Sequence, residues 1–146
     1  MKFFLVIIIF LSGLSNLVAQ NFNVILQVND TNLFGNIGNP HITNIENNKS
    51  KIYPNYYPGD LIIENFEDIN EVFYLCFDYY TYKNNRQKIK NFKVKLTKQL
   101  LENPYLIINI YDFRNRKYKR WFQYLTKEDY LVQLTFPNSG LYVRKK

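Results

Sequence analysis

Along most of the chain, apolar and polar residues alternate with a period of two. In FNVILQVN, Phe22, Val24, Leu26 and Val28 fall on one face, with Asn23, Gln27 and Asn29 opposite. That is the pattern of a strand with one buried side. NFKVKLT repeats it, with Phe92, Val94 and Leu96 inward and Lys93, Lys95 and Thr97 outward. YLVQLTF repeats it again, placing Tyr130, Val132, Leu134 and Phe136 opposite Gln133 and Thr135. Two runs, VFYLCFDYYTY and PYLIINIYDF, are apolar on both faces, which predicts central strands covered on both sides.

Turn chemistry separates these runs. PNSG, Pro137 to Gly140, fixes one φ and then permits a left-handed residue, so Tyr130–Phe136 and Leu141–Arg144 are expected to pair as a hairpin. DFRNRKYK reads as a second hairpin, with Asn115 in the left-handed region at its tip. TYKNNRQK, Thr81 to Lys88, reads as a polar loop. Only KQLLEN is helical in character, and Pro104 limits it to about one turn. Seven or eight short strands with one helical turn predict an all-β fold, a single antiparallel sandwich of immunoglobulin-like or transthyretin-like shape. A small β-barrel is the second architecture the pattern allows.

The chain opens MKFFLVIIIFLSGLSNLVAQ: one lysine, an apolar run from Phe3 to Leu11, then small and polar residues up to Ala19. This is the layout of a secretory signal peptide, with cleavage expected after Ala19 and Leu17 a large residue for the minus-three position. The apolar run falls well short of the ~20 residues that cross a bilayer. The expectation is a leader at residues 1–19, one sandwich domain at 20–146 with no membrane span, and export to the periplasm, cell surface or medium. Cys76 is the only cysteine, so no intramolecular disulfide forms and packing must supply stability. Its expected place is a buried position as a small hydrophobe, with an intermolecular bridge as the alternative.

Charge divides the chain. Residues 20–82 hold eight acidic and two basic side chains, whereas 83–146 hold four acidic and sixteen basic. Interleaving of the two halves in the sheets would let opposite charges cancel. Otherwise the second half offers a positive face to a polyanion. RNRKYKRWFQY, Arg114 to Tyr124, concentrates that charge among aromatic rings, a combination that also suits nucleic acid. Export disfavours nucleic acid and points to an anionic glycan, a lipid surface or an envelope protein. Read as a strand, the stretch puts Tyr118, Phe122, Tyr124 and Arg120 on one face and Trp121 on the other, with Trp121 expected in the core. The candidate binding residues are Lys93, Lys95, Arg116, Lys117, Lys119 and Arg120. Tyr80 and Tyr82 join them as aromatics on a face that also carries Tyr74, Cys76 and Asp78.

Candidates for catalysis are sparse. His41 is the sole histidine, in GNPHITN, and reads as a loop or strand-edge residue. With one cysteine it cannot build a usual zinc site, and no cofactor is expected. No Ser or Cys context marks a nucleophile for a triad. GDLIIENFEDINE gathers Asp60, Glu64, Glu67, Asp68 and Glu71, which could serve a carboxylate hydrolase, although the spacing fits no calcium loop. The leading expectation is a non-enzymatic binding module. The alternatives are a small envelope hydrolase using residues 60–71, or a structural subunit or inhibitor acting through a strand edge.

Overall fold

The structure, a computed structural model, describes residues 19–44 and 51–139. The expected leader before Ala19 and the strand expected at Leu141–Arg144 lie outside the described residues. What is described is an all-β, sandwich-like arrangement of two sheets packed face to face. One sheet runs β10 (Tyr130–Thr135), β9 (Leu106–Asp112), β1 (Gln20–Val28), β6 (Gly59–Ile63), β5 (Asn55–Tyr57), with β2 (Thr31–Asn32) folded back on the end of β1. The second runs β4 (Lys51–Ile52), β3 (Ile37–Asn44), β7 (Val72–Lys83), β8 (Arg86–Thr97).

The expected alternations set the inner faces. Val24, Leu26 and Val28 of β1, Leu61 and Ile63 of β6, and Ile108 and Ile110 of β9 face Phe73, Leu75 and Phe77 of β7 and Phe92, Val94 and Leu96 of β8. All are buried. Burying each such side chain stabilises the fold by about 1.5–3 kcal/mol, which is how the chain does without a disulfide. Phe92 joins this core through ring contacts with Phe77 at 5.7 Å and Tyr130 at 5.2 Å.

Not every pair is antiparallel. β1 and β9 run parallel in the register Val24↔Leu106 to Val28↔Ile110. The chain crosses between sheets after β8 through a single helical turn, α1 (Lys98–Leu101), and so enters β9 in the direction of β1. A parallel pair at the middle of a sheet suits residues apolar on both faces, as β9 is. Of its two buried polar residues, Asn109 and the terminal Asp112, Asn109 donates to the Asp30 carboxylate at 2.6 Å and accepts from the Asp30 amide at 3.3 Å.

Asparagine does the turning. Among the described residues every positive-φ position other than Gly59 is asparagine or Asp30: Asn29, Asp30, Asn39, Asn65, Asn84, Asn85 and Asn138. Short side chains that bond the local backbone tolerate this conformation best. Two consecutive left-handed residues make the tight turns that match strand twist, and both Asn29–Asp30 and Asn84–Asn85 are of this kind. Thr81 to Lys88 is therefore no loop: the strands continue to Lys83 and resume at Arg86, leaving only the two asparagines as the turn.

Arg114 to Tyr124 also departs from the expected pattern. A hairpin tip was expected there, but Arg116–Phe122 forms a helix, α2. Asn115 has φ −82, not a left-handed value; its side chain accepts from the Lys117 amide at 3.0 Å and caps the helix. A 3₁₀ turn at Phe66–Asp68 is a further helical piece that alternation did not announce.

Candidate functional site

The eight candidate binding residues fall on two flanks of the sandwich. Arg116, Lys117, Lys119 and Arg120 lie on α2, over the outer face of the β9–β1 sheet. Lys93, Lys95, Tyr80 and Tyr82 lie on the outer face of the β7–β8 sheet, since Phe92, Val94 and Phe77 occupy its inner face. They form no single patch.

Aromatic packing roots α2. Tyr111, on the outer face of β9, stacks on Tyr118 at 5.1 Å and meets Phe122 at 4.7 Å. Tyr118 and Phe122 are four residues apart, so both rings leave the same side of a helix. The Tyr118 hydroxyl donates toward the Asp30 carboxylate at 2.8 Å and the Asn29 carbonyl at 3.2 Å, fixing the helix to the β1–β2 turn. Burial and the negative charge of Asp30 push the Tyr111 phenol up to about 12. Trp121, expected in the core, is 40% exposed; it meets Tyr118 edge-on at 5.9 Å and has the Lys117 ammonium 4.7 Å from its ring. Tyr124 and Leu125 follow it, both exposed.

Four cations thus share a helix of seven residues. Arg116 and Lys117 occupy its first turn, where the helix dipole disfavours positive charge by about 0.3–1 kcal/mol. Helix stability does not explain these two, whereas Lys119 and Arg120 lie in the last turn, where the dipole favours positive charge. Among the described residues only Lys90 and Arg114 form ion pairs, and their partners, Asp112 and Asp129, also belong to the second half of the chain. The acidic and basic halves do interleave, yet no ion pair joins them among the described residues.

On the other flank the β7–β8 register sets Tyr74 beside Lys95, Cys76 beside Lys93 and Asp78 beside Asn91. The Lys93 ammonium covers the Tyr74 ring at 4.0 Å. Asp78 accepts from Asn39 at 2.6 Å and from Asn91, which supplies the partners a carboxylate in a strand needs. Tyr80 lies against Gly38, so its ring is packed onto β3 and not offered outward; Tyr82, 74% exposed, stands near the hairpin turn. Cys76 is half-buried on this outer face, not in the core, with the Thr43 hydroxyl 3.9 Å from its sulfur. Burial pushes its thiol up, away from the reactive thiolate. His41 lies within β3 at a bulge, opposite Cys76, with Nδ1 2.8 Å from the Asn39 carbonyl oxygen.

Beside Lys93 and Lys95, a groove of about 510 Å³ separates β8 from β10, lined also by Tyr74, Thr126, Glu128, Tyr130, Leu131, Val132 and Leu134. Sequence reasoning missed it, because it lies between strands far apart in the chain. Sequence reasoning also missed the ionic clasp at its end. Lys90, on the inward parity of β8, bonds Asp112 at 2.9 Å and Asp129 at 2.7 Å, while Arg114 Nε holds the other Asp112 oxygen at 2.7 Å. Burial alone would raise the Asp112 pKa; the Arg114 amide, Lys90 and the Arg114 guanidinium outweigh it and hold the carboxyl below its usual range.

The carboxylates of residues 60–71 do not converge. Asp60 is exposed in β6 and accepts from the Asn21 amide at 3.3 Å, and Glu64, Glu67, Asp68 and Glu71 are exposed along the connection to β7. Among the described residues, no group of three or more His, Cys, Asp or Glu side chains is placed to hold a metal ion. No described helix is long and apolar enough to cross a membrane. No family model, curated protein or solved structure matches the chain.

Proposed function

We propose that this is an exported, non-enzymatic binding module of the cell envelope or extracellular space, and that α2 is its contact with an anionic lipid surface. One observation carries the reading: Arg116, Lys117, Lys119 and Arg120 have no carboxylate within ion-pairing distance among the described residues, and exposed Trp121, Tyr124 and Leu125 stand beside them. Cations attract acidic headgroups at about 1 kcal/mol each near the surface, and Trp and Tyr rings settle at the boundary between headgroups and acyl chains. An anionic glycan shares the charge chemistry but gives no role to Leu125. Export, which directs the module to such surfaces, rests on the apolar leader and the small residues before Gln20.

Sedimentation with vesicles tests the proposal. Binding to vesicles rich in acidic phospholipid is expected at about 50 mM salt, to weaken strongly at about 500 mM, and to be absent with zwitterionic vesicles. Lys117→Glu with Arg120→Glu abolishes it, and Trp121→Ala weakens it. Equal binding at both salt concentrations, or indifference to the α2 substitutions, refutes the reading. Retention on heparin with no vesicle binding would replace lipid by glycan.

A further inference from the structure

The groove between β8 and β10 is bounded by two strand edges. Among the described residues β8 pairs only with β7, and β10 only with β9, so each turns one row of backbone groups toward the other. The Tyr130 hydroxyl identifies that row on β8: it accepts from the Lys93 amide at 3.3 Å and donates to the Lys93 carbonyl at 2.9 Å. With a period of two, the amides and carbonyls of Lys95 and Thr97 face the groove as well. From Lys93 to Thr97 the edge runs about 13 Å.

We infer that this groove receives an extended segment of a partner protein, which adds to β8 as a strand and carries acidic residues at alternate positions. A strand laid beside β8 places its side chains about 4.5–5.5 Å from those directly opposite. Lys93 and Lys95 leave the same face, two residues apart, and neither has a carboxylate within 4 Å among the described residues. Acidic residues at i and i+2 meet them. The residue between points the other way, toward the inner face that carries Val132 and Leu134, and is therefore apolar. A second copy of the chain joined β8 to β8 would set lysine against lysine, the arrangement by which edge strands prevent self-association. A sugar is the poorer fit, because the ring it would stack on, Tyr74, already carries the Lys93 ammonium on its face. The entering strand displaces the Tyr130 hydroxyl from Lys93, exchanging two hydrogen bonds for two of the same kind.

This site is separate from α2, and its test separates the two. The ligand used is a synthetic peptide in which glutamate and valine alternate, labelled for anisotropy with the full chain. Binding is expected to fall at least tenfold for Lys93→Glu or Lys95→Glu, for the peptide with glutamine replacing glutamate, and for the peptide with proline at its centre, which cannot donate to the edge. Tyr130→Phe is expected to tighten binding by roughly twofold to tenfold, as it removes the hydroxyl that competes for Lys93. Lys117→Glu with Arg120→Glu should leave it unchanged while vesicle binding is lost. Equal binding of the proline peptide would mean charge alone and overturn strand addition. Binding that emerges only after residues 140–146 are removed would mean that the groove belongs to the chain's own end, and would overturn the partner.

Discussion

Lys90→Met is the substitution that most directly tests how the two sheets are held at the groove. Lys90 is 9% exposed and points inward from β8 in line with Phe92. Its ammonium spans the open side of the sandwich to Asp112 at the end of β9 and to Asp129 just before β10, where it also bonds the Asp129 carbonyl at 3.2 Å. Methionine keeps most of the aliphatic stem and removes only the charge. Breaking a buried pair costs about 3–5 kcal/mol when the abandoned partner has nothing else. Asp112 retains the Arg114 amide at 3.0 Å and its guanidinium at 2.7 Å, so the expected loss is smaller, about 2–3 kcal/mol.

Urea denaturation at neutral pH measures that loss, provided the m value is unchanged. Asp129→Ala serves as the internal contrast: its carboxylate is 71% exposed, and its removal is expected to cost less than about 1 kcal/mol. Lys90→Met combined with Asp112→Leu should recover part of the single-mutant loss, because an apolar pair does not strand a charge. A cost below about 0.5 kcal/mol for Lys90→Met would place the clasp among ordinary surface pairs and refute its role in fixing β8 against β10.

The pH dependence follows from the same carboxyl. The folded-state pKa of Asp112 lies below its unfolded value near 3.8, so its contribution is complete above about pH 4 and is lost as pH falls through the folded value; acid titration of Asp112→Asn should lack that component of the wild-type loss. Gly38→Ala places a methyl group 2.5 Å from the Tyr80 ring, and a loss of about 1–3 kcal/mol is expected, relieved when Tyr80→Ala is added. Asn115→Ala removes the cap of α2 and should cost about 1 kcal/mol in thermal unfolding while weakening vesicle binding. Replacing Asn84 and Asn85 by alanine forces two left-handed residues without a suitable side chain, costing roughly 1–2 kcal/mol each, whereas Asn85→Gly should leave stability unchanged or raise it.

The strands were legible because burial on one face imposes a period of two, and Phe22 to Val28 and Phe92 to Leu96 follow it without a break. α2 was misread because parity was applied where another period ruled. Tyr118, Trp121 and Phe122 stand at i, i+3 and i+4, and Asn115 stands one residue before Arg116, which together are a helix start and an apolar stripe. The basic residues were identified but not their grouping, since sequence cannot tell which face of which sheet a lysine leaves from until the strand order is known. Lys90 shows the limit most sharply. By parity it belongs with Phe92 and Val94, a charge on the core side, and only the arrival of Asp112 and Asp129 from the other sheet makes that position tolerable.

That placement ties stability to the proposed strand site. The clasp fixes β8 to the segment leading into β10, three residues before Lys93, where Tyr130 occupies the open edge. A buried ionic tie is weak as a source of net stability against an apolar replacement, but it constrains geometry, because the ammonium and two carboxylates tolerate little displacement before one is left unpaired. Under the proposed strand addition, the fit of the added strand is therefore expected to depend on the tie from Lys90 to Asp112 and Asp129. A Lys90→Met, Asp112→Leu protein that regained its stability should still bind the alternating glutamate peptide more weakly than wild type, so recovery of folding without recovery of binding distinguishes a geometric tie from a merely stabilising one.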